Sequence, residues 1–240
     1  MTKVKNYLLG YKDMYIMQDT EDFNFSLDSV LLPNFVTLNS KIEKVLDIGC
    51  GNAPIPLILS TKTKAEITGV EIQKKSYNLA LESVKLNNKE KQIKILNIDV
   101  NEYYLECESD TYDVITCNPP YFKYNSSSNL NFNETKTLAR HEITLNLEQL
   151  FKVAKKLLKN NGVIAVVHRP ERLVEILEEM KKNNIEPKKI QFVYPKKDKE
   201  ANILLVEGMK NGKSGLKVLP PLYSHKENGE YTDEIKAYFE

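Results

Sequence analysis

Short apolar runs alternate along this chain with longer stretches whose apolar residues recur every three or four positions, which predicts strands separated by helices. Lys44–Ile48, Glu66–Glu71, Ile93–Asp99, Tyr112–Cys117 and Gly162–Val167 read as strands. The intervening periodic stretches read as helices. One passes through Leu57–Leu59, and a second runs from Gln73 to Leu86 with Tyr77, Leu79, Ala80, Leu81 and Val84 on its apolar side. A third runs from Leu147 to Leu158, capped by Asn146 and stopped by Asn160-Asn161-Gly162, and a fourth runs from Pro170 to about Lys182. Segments near Ile190–Tyr194 and Asn202–Met209 predict a closing hairpin. Regular alternation of this kind is what a doubly wound α/β sheet requires, and that fold class is expected. No repeats interrupt it, and the segment from Phe122 to Thr137, rich in Ser and Asn, is expected to be a mobile loop or a plain insertion.

The chemistry gathers at predicted strand ends. Tyr112–Cys117 runs into Asn118-Pro119-Pro120-Tyr121, which sets a polar side chain, two rigid prolines and an aromatic ring where open α/β sheets bind ligands. An amino group conjugated to a ring or a carbonyl is a poor nucleophile, because its lone pair is delocalised. The Asn118 oxygen and a proline carbonyl can accept its two N–H bonds and favour the charge that develops on nitrogen as it attacks. Tyr121 can stack on the flat ring, and proline holds both acceptors in place beforehand. N-P and P-P are also ordinary turn dipeptides.

Lys44–Ile48 leads into Gly49-Cys50-Gly51, where glycine permits a tight turn and close approach to a ligand. Asp47 precedes that turn, and Glu71 ends the second strand, where a carboxylate can accept both hydroxyls of an adenosine ribose. A dinucleotide site expects a third glycine where Pro54 stands, and Asp47 would repel a pyrophosphate. It would attract an ammonium, which S-adenosylmethionine carries without any phosphate. Either acid alone reads as a solvated strand end; the pair at this spacing does not.

Taken together, these residues resemble the class I S-adenosylmethionine-dependent methyltransferases, specifically the group that methylates exocyclic or amide nitrogen through N-P-P-Y. The resemblance spans about Phe23 to Met209. It implies a Rossmann-like seven-stranded sheet, mostly parallel with an antiparallel last strand. It also implies S-adenosylmethionine as cofactor, with Asp47, Gly49 and Gly51 around its methionine part, Glu71 on the ribose, Asp99 facing the adenine, and Asn118 beside both cofactor and target nitrogen. Asp99 equally fits a helix N-cap. Asn118, Pro119 and Tyr121 are the implied catalytic residues, with Phe122 as a second wall of the base pocket.

The stretch Phe23-Asn-Phe25-Ser-Leu-Asp28-Ser-Val-Leu-Leu32 is similar to one in a bacterial branch, the tRNA1(Val) adenine N6-methyltransferases, where it borders the pocket. That makes Phe25 and Asp28 pocket candidates, although Asp28 also fits a helix N-cap. Ala139-Arg-His-Glu142, Ala201–Glu207, Pro220–Tyr223 and Tyr231-Thr232 look like the same branch. It implies methyl transfer to adenine N6 in tRNA, at position 37 beside the anticodon.

Composition refines this picture. A chain of 240 residues can bury one good core, and it is expected to be one domain, with residues 1–40 as an extension packed on a methyltransferase domain of residues 41–240. Net charge is only +1, but from Lys181 to Lys217 ten lysines face four acids. Lys188, Lys189, Lys196, Lys197 and Lys199 surround Tyr194-Pro195 and are expected to form a basic hairpin turn, with Lys196, Lys197 and Lys199 on RNA phosphates or simply solvated. Cys50, Cys107 and Cys117 fit neither a disulfide framework nor zinc, and His141, His168 and His225 share no ligand spacing, so no metal is expected.

The N-terminus has no apolar targeting region, so a cytoplasmic location is expected; a monomer is expected as well. Three rivals stay open. Enzymes that methylate a release-factor glutamine share N-P-P-Y, but usually carry a larger helical domain ahead of the first motif, where this chain has 43 residues. DNA adenine methyltransferases carry a sequence-reading domain with no counterpart here. A non-enzymatic RNA-binding module could keep the same fold.

Overall fold

The computed structural model describes residues 3–8, 11, 13–19, 26–119 and 145–238. The candidates Phe25, Tyr121 and Phe122, together with Pro120, Arg140, His141 and the segment 122–137, lie outside the described residues. The chain opens with an antiparallel ribbon, β1 (Lys3–Tyr7) and β2 (Tyr15–Asp19), and a short helix, α1 (Asp28–Phe35). Then follow β3 (Lys44–Ile48), α2 (Pro54–Lys62), β4 (Glu66–Val70), α3 (Lys74–Leu86), β5 (Ile93–Leu96), α4 (Val100–Glu106) and β6 (Tyr112–Cys117). The last part comprises α5 (Leu147–Leu157), β7 (Leu158–His168), a 3-10 turn at Pro170–Arg172, α6 (Leu173–Lys182), β8 (Ile185–Tyr194), β9 (Ile203–Lys210), β10 (Lys217–Val218), β11 (Leu222–Tyr223) and α7 (Asp233–Lys236).

Strands β3 to β9 form the expected sheet, in the order β8-β9-β7-β6-β3-β4-β5. Of these, β9 alone runs antiparallel to its neighbours, β7 and β8. The two-residue strands β10 and β11 line the outer edge of β8 and bring the sheet to nine. The central strands are buried on both faces, so they read as continuous apolar runs rather than alternating ones. One core lies against α1–α3, and the other against α4–α6. Strand order reverses between β3 and β6, and that crevice is where doubly wound sheets hold ligands.

Several sequence expectations change in the folded chain. Leu81 is 41% exposed, and the buried side of α3 uses Ser83 instead. The Ser83 hydroxyl donates to Leu79 O at 2.8 Å and accepts the Met17 N–H at 2.9 Å, so a polar residue is satisfied where the N-terminal ribbon docks. Helix α5 has the expected Asn146 cap, made reciprocal by Gln149, but it passes directly into β7 at Leu158. Asn161, with φ +63°, and Gly162 mark a bulge in the pairing of β6 with β7 rather than a helix stop. A Cβ at Gly162 would sit 2.9 Å from Lys159 O and 3.0 Å from Asp113 O.

The final hairpin starts earlier than expected, at Ile185, and Lys188 and Lys189 lie on the half of β8 away from its turn. Lys189 is occupied elsewhere: its Nζ donates to Phe35 O at 2.7 Å and lies 3.3 Å from Glu207 on β9. Glu207 also accepts the Thr37 N–H at 2.6 Å and hydroxyl at 2.7 Å. This cluster, buried at Glu207, fixes the exit of α1 onto the sheet.

Gly69 illustrates how tightly the ligand edge is packed. A Cβ there would lie 2.8 Å from Cys50 Sγ and 2.9 Å from Ile95 Cδ1. Gly69→Ala is expected to cost about 1–3 kcal/mol, the scale of core overpacking, in urea unfolding. Adding Cys50→Ala should recover part of that loss by removing the sulfur from the collision.

Candidate active site

Ile48 and Cys117 are register partners on adjacent parallel strands. The Gly49 turn and the Asn118-Pro119 motif therefore leave the sheet side by side, at the switch point. Gly49 and Gly51 have φ of +69° and +56°, a conformation that costs glycine little and other residues much. The N–H groups of Gly49 and Cys50 both donate to Val70 O, at 2.9 and 3.1 Å, which folds the turn back over the end of β4. A Cβ built on Gly49 or Gly51 meets nothing within 4 Å, so open space lies before the turn.

Glu71 holds the turn in place. Its Oε2 accepts the Gly51 N–H at 2.9 Å, and its Oε1 accepts the Gln73 N–H at 2.7 Å where α3 begins. The Ile72 N–H also acts on this carboxylate, whose two oxygens offer about four lone-pair sites, leaving acceptor capacity for a ligand hydroxyl. Burial raises the Glu71 pKa, against the opposing effect of these N–H bonds. Asn97 supports the same corner by donating to Glu71 O at 2.8 Å and Ile72 O at 3.0 Å.

Asp47 lies between Gly69 of β4 and Thr116 of β6, and is 1% exposed. Its Oδ1 accepts the Thr116 hydroxyl at 2.6 Å. Its buried Oδ2 has no hydrogen-bond partner among the described residues. Burial raises the Asp47 pKa to about 8, with the charge of Glu71 adding to the rise and the Thr116 bond opposing it. A buried bare carboxylate oxygen is costly unless a ligand satisfies it. Thr116 and Asn97 escaped the sequence reading; period-two alternation puts Thr116 on the face of Val114, but nothing local announces its partner 69 residues away.

The other candidates sort by position. Asn118 is half-buried and Pro119 buried, directly beyond β6. Asp99 is the N-cap of α4, its Oδ1 accepting from Asn101 N at 2.8 Å and Nδ2 at 3.0 Å. Asp28 is the first helical residue of α1, whose N-cap is Leu27, and the Ser26 hydroxyl donates to it at 3.3 Å. Lys196, Lys197 and Lys199 occupy the β8–β9 turn. Because β8 runs parallel to β7 with β9 antiparallel between them, this turn shares the ligand edge. Lys197 and Lys199 are exposed, whereas Lys196 donates to Glu227 O at 3.0 Å. Among the described residues no cluster of His, Cys, Asp or Glu could hold a metal ion, and no helix is long and apolar enough to cross a membrane.

The profile of the methyltransferase small domain family matches residues 27–191. The chain belongs to that family. The tRNA1(Val) (adenine(37)-N6)-methyltransferase of Trichodesmium erythraeum is 34% identical over 165 residues, which cover 68% of this chain and 67% of that protein. The enzyme of the same name from Parabacteroides distasonis is 28% identical over 237 residues, 97% of this chain and 95% of its own. Among solved structures, Atu636 of Agrobacterium tumefaciens, described as a predicted O-methyltransferase, superposes with a TM-score of 0.70 at 19% identity, over 88% of this chain and 95% of that one. That likeness supports the fold.

The residues fit S-adenosylmethionine. Asp47 Oδ2 is a buried oxygen with no partner among the described residues that an ammonium could satisfy, the glycine turn leaves room for a main-chain-like group, and the Glu71 carboxylate could accept from hydroxyls. An ammonium partner favours ionised Asp47, so binding below pH 8 should release a proton. Affinity for S-adenosylmethionine is expected to rise about tenfold per pH unit between pH 6 and 7, and Asp47→Asn should flatten that rise. Calorimetry in buffers of different ionisation enthalpy reads the proton directly. Without ligand the sign reverses for stability: the folded state keeps a proton that the unfolded chain releases at about pH 4, so stability falls as pH rises from there through about 8.

Proposed function

We infer that this chain transfers a methyl group from S-adenosylmethionine to the exocyclic N6 of adenine 37 in tRNA1(Val). One observation carries the reading: the buried, half-satisfied Asp47 and the Asn118-Pro119 motif stand on adjacent strands at the switch point. The relatives from Trichodesmium erythraeum and Parabacteroides distasonis bear the name of that reaction. The cofactor supplies an electrophilic methyl on a sulfonium; the remaining work falls to the protein.

Asp47 would take the ammonium, and Glu71, held rigidly by two backbone N–H groups, would take the ribose hydroxyls. Asp99, fixed as the α4 cap, would border the adenine end. Asn118 and the Pro119 carbonyl would accept the two N6–H bonds, drawing the nitrogen lone pair out of conjugation as it attacks in line. Tyr121 and Phe122 would stack on the extruded base, with Phe25 and Asp28 at the pocket border. No protein nucleophile is required, and the proton can leave after the new bond forms. Lys196, Lys197 and Lys199 would meet phosphates on the same edge, and residues 1–40 would act as an extension of a single catalytic domain.

Asn118→Ala is expected to lower single-turnover methylation of tRNA1(Val) by about a hundredfold or more, with S-adenosylmethionine affinity nearly intact. Wild-type turnover at saturating RNA would remove Asn118 from the chemistry. Changing Lys196, Lys197 and Lys199 together to Ser should weaken tRNA binding and flatten its salt dependence by roughly 0.7 to 0.9 in log–log slope per lost phosphate contact. An unaltered slope would make the turn a solvated surface.

A further inference from the structure

The N-terminal ribbon lies outside the sheet and takes no part in the site described above, yet it is fastened to it. Asn52, in the glycine turn, donates to Met17 O at 2.8 Å. Asn87 of the α3 C-terminus accepts the Tyr15 N–H at 2.9 Å and donates to Tyr15 O at 2.7 Å. Asp19 pairs with Lys75 near the start of α3 at 2.8 Å. One edge of the ribbon is thus committed to α3 along its length.

Its two faces differ. Register partners Lys5–Met17 and Tyr7–Tyr15 point to one side, and Ile16 and Gln18 to the other, where both are buried. On the first side Tyr7 is 69% exposed. Its ring centroid lies 5.0 Å from that of Tyr15, tilted by 37°. Lys5 Nζ sits 3.5 Å above the Tyr15 ring, and no acid pairs with it among the described residues. Lys3, on the same side, pairs with Glu82. The result is an exposed Tyr7 ring tilted against Tyr15, whose face carries the Lys5 ammonium, on a ribbon tied to α3.

Exposed aromatic rings with an adjacent cation on a strand pair suit a nucleobase and its phosphate, since every base has a π-face and every phosphate a charge. We propose that this face is a docking surface for the substrate RNA, with Tyr7 stacking on an unpaired base and Lys5 meeting the neighbouring phosphate. The inference rests on the tRNA reading above. Tyr15 is two strand residues, about 7 Å, from the Met17 carbonyl that Asn52 holds, so the face is close enough to the glycine turn to meet an arm of the same RNA. RNA would then be gripped on two sides of the site, by the β8–β9 turn and by the ribbon.

The test is tRNA1(Val) binding and steady-state methylation by a Tyr7→Ala, Lys5→Ser double variant. Affinity should fall about tenfold or more, and KM for tRNA should rise with kcat and S-adenosylmethionine affinity unchanged. Tyr7→Phe should bind like wild type, because phenylalanine still stacks, and Lys5→Ser alone should reduce the salt slope by roughly 0.7 to 0.9. A photoreactive benzoylphenylalanine at position 7 should crosslink to tRNA, a readout independent of the variants' stability. If the wild-type chain binds and methylates tRNA while the double variant matches it, or no crosslink forms, the ribbon inference fails alone. If the wild-type chain binds no tRNA, the functional reading fails with it.

Discussion

The bare oxygen of Asp47 organises this molecule. A carboxylate buried between two strands, with one oxygen satisfied by Thr116 and the other without a partner among the described residues, is an unfavourable element of the unliganded fold. The chain accommodates the cost partly by keeping the group protonated up to about pH 8. Everything near it is arranged to hold it there. Gly69 leaves the room that Cys50 and Ile95 fill, the Val70 carbonyl turns the chain at Gly49, and Glu71 ties that turn to α3. Strain and a strongly shifted pKa in a cleft, supported by a well-packed sheet, mark a candidate functional site.

How much of this could be read in advance depends on how local each interaction is. The strands β3, β4 and β6 and their acidic or polar ends were legible because doubly buried strands leave apolar runs and glycine turns leave a local mark. The Asn146 cap was legible for the same reason. Asn160-Asn161-Gly162 was misleading: identical turn chemistry serves a helix stop or a bulge, and only the pairing of Leu158 with Tyr112 decides between them. Leu81 and Ser83 exchanged places because a polar residue can be buried when a distant segment, here Met17, supplies its partner. Lys189 looked like part of a basic turn but serves Glu207 and Phe35, a contact made through the exit of α1, 154 residues earlier in the chain. Tyr121, Phe122 and Phe25 lie outside the described residues, so their roles stand as proposals built on the motif.

Charge follows the same geometry. Net charge of +1 is uninformative, but the parallel relation of β7 and β8 puts the lysine turn on the edge where Asn118 emerges. A cofactor cleft with acids at its floor and lysines at one rim separates a cationic small molecule from a polyanionic one by position alone. In the proposed reading the cofactor's ammonium would go to Asp47 and the phosphates to the rim. That division is what a methyl transfer between S-adenosylmethionine and RNA needs.

The most direct measurement is the identity of the modified nucleoside. Purified protein, labelled S-adenosylmethionine and unmodified tRNA1(Val) are incubated, and nuclease fragments are sequenced by mass spectrometry. The account predicts N6-methyladenosine at position 37 and no label in a transcript carrying guanosine there. Methyl groups found on another nucleoside, or only on a release-factor glutamine offered in parallel, would contradict it.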